Sequence, residues 1–248
     1  MGMMMYLLLF AMLIFICVKN FSLLKRYKFN KKYIECYRTV LNNDENVYEY
    51  VSDYINSVNK EEYLNKAKVL KLFVEVKNGL DYKETLDSLD LRKIYYDGNK
   101  FDRNLVVYNS DTFVFIMMVM IKAYARLELE VIITLNEKIK ELTDLVTQLE
   151  YQEVLAVGDA LLLKNDNGIE ILNCLLNGEY TKYRYDKNMI GIYKRIAAAI
   201  LSFLSQEISD YDKEDLGTFG KSLIGKEVLN DLKIYDKFVK NEEESVNQ

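Results

Sequence analysis

"FVFIMMVMI", Phe113 to Ile121, is the most apolar stretch of the chain beyond its N-terminal two dozen residues. At a rise of about 1.5 Å per residue it makes roughly 14 Å of helix, half of the ~30 Å hydrocarbon layer of a bilayer. Lys122, Arg126 and Glu128 follow soon after. A helix that is apolar all round and too short to span belongs at the centre of a helical fold. A central core helix is therefore expected here, opened by Ser110 or Asp111 as its cap.

Working outward, apolar residues recur every three to four positions. Tyr33, Ile34, Tyr37, Val40 and Leu41 make one stripe, and Val47, Tyr50, Val51, Tyr54, Ile55 and Val58 a second. Tyr63, Leu64, Ala67, Leu70, Phe73 and Val74 make a third, closed by Asn78-Gly79 as a C-cap. Asp81 and Glu84 resemble a capping box opening a short helix. C-terminal to the core helix, Ile132, Leu135, Ile139, Leu142, Val146 and Leu149 keep a spacing that suits antiparallel packing against it. Further helical pieces are expected at Val154–Leu163, Ile169–Leu176, Met189–Ile208 and Leu216–Val239, punctuated by Asn165 to Gly168 and by Asn177-Gly178. Leu91 to Tyr108 breaks the period. Asp97-Gly98 is a hairpin signal there, but a structured loop is the preferred reading.

Composition agrees. The 248 residues include no Pro and ten Gly, so turns have little punctuation, which favours long helices with short connections. No fixed repeat period is found. The expected fold is all-α: an N-terminal transmembrane helix, then an array of antiparallel helical hairpins forming a bundle or a short solenoid.

The transmembrane expectation rests on "MYLLLFAMLIFICVKNFSLLKRYKFNKK", Met5 to Lys32. Met3 to Leu24 is about as long as a spanning helix needs to be. No basic residue precedes the apolar run and no small-residue cleavage site follows it, which argues for an anchor over a cleaved signal. Residues 19 to 40 hold seven basic side chains against Glu35 alone, net +6, while the remainder holds 26 basic and 37 acidic, net −11. Basic residues beside a span mark its cytoplasmic side. The expected topology is thus an anchor at 1–24, a basic juxtamembrane segment at 25–42, a cytoplasmic-facing helical domain at 43–240 and an acidic tail at 241–248. Lys25, Arg26, Lys28, Lys31 and Lys32 are the expected contacts to anionic headgroups, with membrane lipid as a partner.

Several chemistries are excluded or unsupported. With no His there is no Ser-His-Asp or Cys-His pair and no His-ligated zinc or haem. Cys17, Cys36 and Cys174 show no metal or disulfide spacing and suit a reducing compartment. Gly220-Lys221-Ser222 lacks the preceding Gly of a phosphate loop, since Asp215 stands there, so it reads as a helix-to-helix turn. Asp210, Asp212, Glu214 and Asp215 miss the calcium-loop order and read as an acidic helix start. Glu128 with Glu130, or Glu61 with Glu62, could pair for acid–base work, but nothing singles them out among 38 acidic residues. No cofactor, metal or small-molecule ligand is implied, and an acidic body disfavours nucleic acid.

One surface segment stands out. "EYTKYRYDK", Glu179 to Lys187, carries Tyr180, Tyr183, Arg184 and Tyr185, residue types favoured at protein contacts. The expected function is a single-pass, membrane-anchored helical protein acting as an interaction tether, assembly factor or regulator without catalysis. The alternatives are a membrane-bound enzyme or enzyme subunit using carboxylate chemistry, or a secreted binding module if the leader is cleaved.

Overall fold

The computed structural model describes residues 31–97, 100–101, 109–143, 152–162, 166–178 and 187–239. In chain order these form α1 (31–42), α2 (Val47–Ser57), α3 (Glu61–Asn78), α4 (Lys83–Ser88) and the single turn α5 (Arg92–Tyr95). A two-residue ladder follows, β1 (Tyr96–Asp97) with β2 (Lys100–Phe101). Then come α6 (Ser110–Ala125), α7 (Leu129–Thr143), α8 (Gln152–Leu161), α9 (Asp166–Leu176) and α10 (Lys187–Phe203). The chain ends in α11 (Asp210–Gly220), α12 (Leu223–Asp231) and α13 (Tyr235–Phe238).

A chain without Pro has to stop its helices another way. Six of these helices run into a residue in the left-handed backbone region: Asn43, Gly79, Leu127, Gly178, Ser205 and Lys233. At four of these ends the amide directly after that residue donates back to a carbonyl five residues earlier: Leu80 to Glu75, Glu128 to Ala123, Gln206 to Leu201 and Ile234 to Leu229, all at 2.8 to 2.9 Å. This is the Schellman closure, and it satisfies carbonyls that a helix end would otherwise leave bare. Starts are sealed as well. Ser209 Oγ accepts from Asp212 N at 3.1 Å, and Ser222 Oγ accepts from Gly225 N at 3.0 Å.

Every residue from Thr112 to Ala123 is buried, as the all-round apolar pattern demands. The reason is enclosure: α3, α7, α8, α10 and α12 all pack on α6. A solenoid repeat touches only its neighbours in sequence. Here one helix is wrapped by elements from both ends of the chain, so the architecture is a multi-helix bundle. The α3–α6 pair is also parallel. Lys66 of α3 lies beside Asp111 at the start of α6, and Arg126 just past the end of α6 reaches Lys77 O near the end of α3. The segment 79–109, with α4, α5 and the ladder, makes the crossover that a parallel pair requires.

Several expectations are corrected. No helix among the described residues is long and apolar enough to cross a membrane. The anchor assigned to 1–24 lies outside the described residues, and α6, the most apolar described helix, is enclosed by protein on all sides. The transmembrane helix, the single-pass orientation with a cytoplasmic body and the membrane-lipid partner are therefore withdrawn. The anchored tether, assembly factor or regulator goes with them, as do the membrane-bound enzyme and the secreted module. The array of antiparallel hairpins gives way to a bundle with a parallel central pair. The loop preferred between Leu91 and Tyr108 is corrected in part, since Tyr96 pairs with Phe101 and Asp97 with Lys100. The core-helix cap is Asn109 rather than Ser110 or Asp111.

Candidate functional site

The two ends of the α3–α6 pair differ in chemistry. At the amino end the polar groups face inward. Lys66 is 1 % exposed, and its Nζ donates to Asn109 Oδ1 at 3.0 Å and lies 3.5 Å from Asp111 Oδ1. The same ammonium sits 4.0 Å above the ring of Tyr33, brought in by α1. Asn109 Nδ2 donates to Glu62 Oε1 at 3.3 Å and to Ile94 O at 3.1 Å, and Lys60 donates to Glu62 Oε2 at 2.7 Å. This explains why Asn109 makes no side-chain cap: its amide links α3 to the crossover instead. Burial lowers the Lys66 pKa, against the opposing pull of Asp111 and Glu62. Cys36 is buried on α1, where desolvation pushes its thiol up to about 12, far from a nucleophile's range.

At the carboxyl end a second ion cluster joins three elements. Lys122 reaches Glu227 at 2.6 Å and Asp231 at 2.5 Å on α12, and Lys77 of α3 reaches Glu227 at 2.9 Å. Beside this cluster lies an exposed corner. The Arg126 guanidinium ties it together, donating Nη1 to Lys77 O at 3.3 Å and Nε to Glu128 Oε1 at 3.2 Å. Gly79 is favoured there: its φ is +66°, and a Cβ, 2.4 Å from Arg126 Nη2, would push the guanidinium from its place.

The corner is apolar where a surface is usually polar. Leu127 is 82 % exposed, more than any other large hydrophobic side chain among the described residues. Leu80 and Leu129 are 40 % exposed, Ile133 is 37 % exposed, and Tyr82 is half-buried beside them. Carboxylates interleave with them: Asp81, Glu128 and Glu130, with Glu137 one turn beyond Ile133 on α7. The Tyr82 hydroxyl is pushed up first by burial and then by the charges of Glu128, Glu130 and Asp81. Leu127 pays for its position, because φ is +63° at a residue with a Cβ. Glycine would take that conformation at about 1 kcal/mol less cost.

From the corner, the α4–α5 segment runs beside α7 to a groove of about 240 Å³ lined by Leu89, Asp90, Leu91, Arg92, Lys138 and Glu141. Its cations are turned onto backbone oxygens. Lys138 Nζ donates to Leu89 O at 3.0 Å and Asp87 O at 3.3 Å, and Arg92 Nη2 lies 3.5 Å from Glu141 O. Among the described residues, no three His, Cys, Asp or Glu side chains gather as a metal set would.

Of the residues singled out from sequence, Lys31 and Lys32 lie exposed at the start of α1. Lys25, Arg26 and Lys28, and the group Tyr180, Tyr183, Arg184 and Tyr185, lie outside the described residues. Gly220-Lys221-Ser222 is the turn between α11 and α12. The acidic stretch 210–215 opens α11, with Asp215 held by Arg195 through two bonds of 2.8 Å. Sequence reading missed the corner altogether. The available signal was a leucine set between Arg126 and Glu128, outside every apolar stripe. Compared with protein-family models, curated proteins and solved structures, the chain matches none of them.

Proposed function

We propose that this protein is a recognition module that binds another protein through the corner formed by Leu80, Tyr82, Leu127, Leu129 and Ile133. Leu127 carries the reading. Its side chain gains almost no burial at 82 % exposure, and its backbone holds a conformation that glycine takes more easily. Folding alone favours neither feature, and both are accounted for if the side chain is buried by a partner. The ordered surroundings support this: the Schellman closure and the Arg126 clamp hold Leu127 in place before any partner arrives, which lowers the ordering cost of binding.

Leu127→Gly separates fold from function. The substitution is expected to stabilise the isolated protein by about 1 kcal/mol, read as a raised denaturation midpoint, because strain is relieved and no buried contact is lost. A photo-crosslinking residue at position 127 is expected to give a discrete adduct with another protein in cells of the source organism, and one at exposed Glu45 is expected to give none. Absence of any adduct from position 127, or a fold weakened by Leu127→Gly, would refute the assignment.

A further inference from the structure

The corner also restricts the chemistry of what it binds. We infer that the partner presents a cationic amphipathic helix, with leucine-type side chains on one face and lysine or arginine on its flanks. This rests on the recognition surface proposed above and adds the identity of the bound element.

Two observations carry it. The first is shape. Leu129, Ile133 and Glu137 recur every four residues along the exposed face of α7. They form a ridge of the i±4 kind into which the side chains of a second helix interdigitate. The α4–α5 segment flanks this ridge, since Asp87 and Leu89 carbonyls accept from Lys138 on α7. The ridge from Leu129 to Glu137 runs about 12 Å, or two helical turns.

The second observation is charge. Asp81, Glu130 and Glu137 are exposed around the apolar residues, and Glu128 is partly exposed between them. Of the cations here, Arg126 is already engaged by Glu128 and Lys77 O, and exposed Lys83 beside Tyr82 is flanked by exposed Glu84, so acid outnumbers base along the strip. A strip with apolar centre and carboxylate margins complements a helix with apolar stripe and basic flanks, and repels an acidic one.

The test uses the full chain and two labelled 18-residue helical peptides. Both carry leucine at three- and four-residue spacing; one has lysine at the remaining positions and the other glutamate. Anisotropy titration at low salt is expected to show the lysine peptide binding at least tenfold tighter, with the gap narrowing at high salt. Leu127→Gly should weaken that binding at least tenfold, and Glu130→Lys should shrink the preference between the peptides. Equal binding, preference for the glutamate peptide, or no binding of either would overturn the cationic partner. If Leu127→Gly still abolished whatever binding remained, the surface itself would stand and only its charge preference would fail. Lysine-peptide binding untouched by both substitutions would remove the corner as the site.

Discussion

Lys66 carries its amino group into the interior, and its neighbours decide what a charge there costs. Desolvation alone would neutralise it. Asn109, Asp111 and the face of Tyr33 together keep the ammonium tolerable, and the arrangement joins α1, α3 and the start of α6 at one atom. Removing the lysine would leave Asp111 beside an unfilled space with its counter-ion gone. Lys66→Met is therefore expected to destabilise the fold by about 1–3 kcal/mol, since Asn109 loses its buried donor while Asp111 keeps partial access to solvent. Asp111→Asn in the Lys66→Met background should restore part of that loss. A double-mutant cycle by urea unfolding measures it, and a coupling near zero would mean that Lys66 is held by its other contacts. Sequence reading gave no hint of this residue. Lys66 sits one step from the apolar stripe of Tyr63, Ala67 and Leu70, and periodicity marks which face is buried without saying which polar side chain is carried in with it.

At the scale of the element, glycine has two opposite uses here. Gly191 lies inside α10, and a Cβ built on it would meet nothing within 4 Å. Gly225, in the first turn of α12, would place a Cβ 1.9 Å from Phe219 O, a backbone atom that cannot swing aside. Gly191→Ala is expected to stabilise by roughly 0.5–1 kcal/mol through helix propensity. Gly225→Ala should cost at least about 2 kcal/mol, because the turn between α11 and α12 must open. Thermal melts of the two variants check both signs. The stripe of α2, the Gly79 end of α3 and the enclosed α6 were all legible in the sequence, because each carries a full period or a terminal glycine. The region Leu216 to Val239 was harder. Leu216, Phe219, Val228, Leu229 and Leu232 keep near-helical spacing across the Ser222 turn, and the later break falls on Lys233, a residue with no turn signature. The turn at Gly220-Lys221-Ser222 was still legible from its glycine, and the break before α13 was not.

For the whole molecule, periodicity shows that a face is buried but not what buries it. The parallel α3–α6 pairing, the wrapping of α6 by α12 and the meeting of residues 80 and 127 are all long-range facts, so bundle and solenoid stayed undivided and the corner stayed unseen. The same long-range contacts give the fold its response to acid. Burial disfavours the Glu227 carboxylate, but donors from Lys122 and Lys77 outweigh that and hold it below its usual value. Its contribution is present above the ordinary glutamate pKa of about 4.3 and is lost as pH falls through the lowered folded value. Glu75 and Asp231 behave in the opposite sense. Desolvation raises both, against partial relief from Thr85 and Lys71 for Glu75 and from Lys122 for Asp231. Their charged forms weaken the fold near neutrality, and that penalty lifts as pH falls through their raised values. The melting temperature is therefore expected to rise on mild acidification from pH 7 and to fall again below the ordinary glutamate pKa of about 4.3. Glu75→Gln should raise it more at pH 7 than at pH 4.5, because acidification neutralises the native carboxyl and removes the penalty. Glu227→Gln should lower it at pH 7 and flatten the acid limb. A Glu75→Gln gain of equal size at both pH values would place its origin in packing, since a charge penalty has to vanish once the charge is gone.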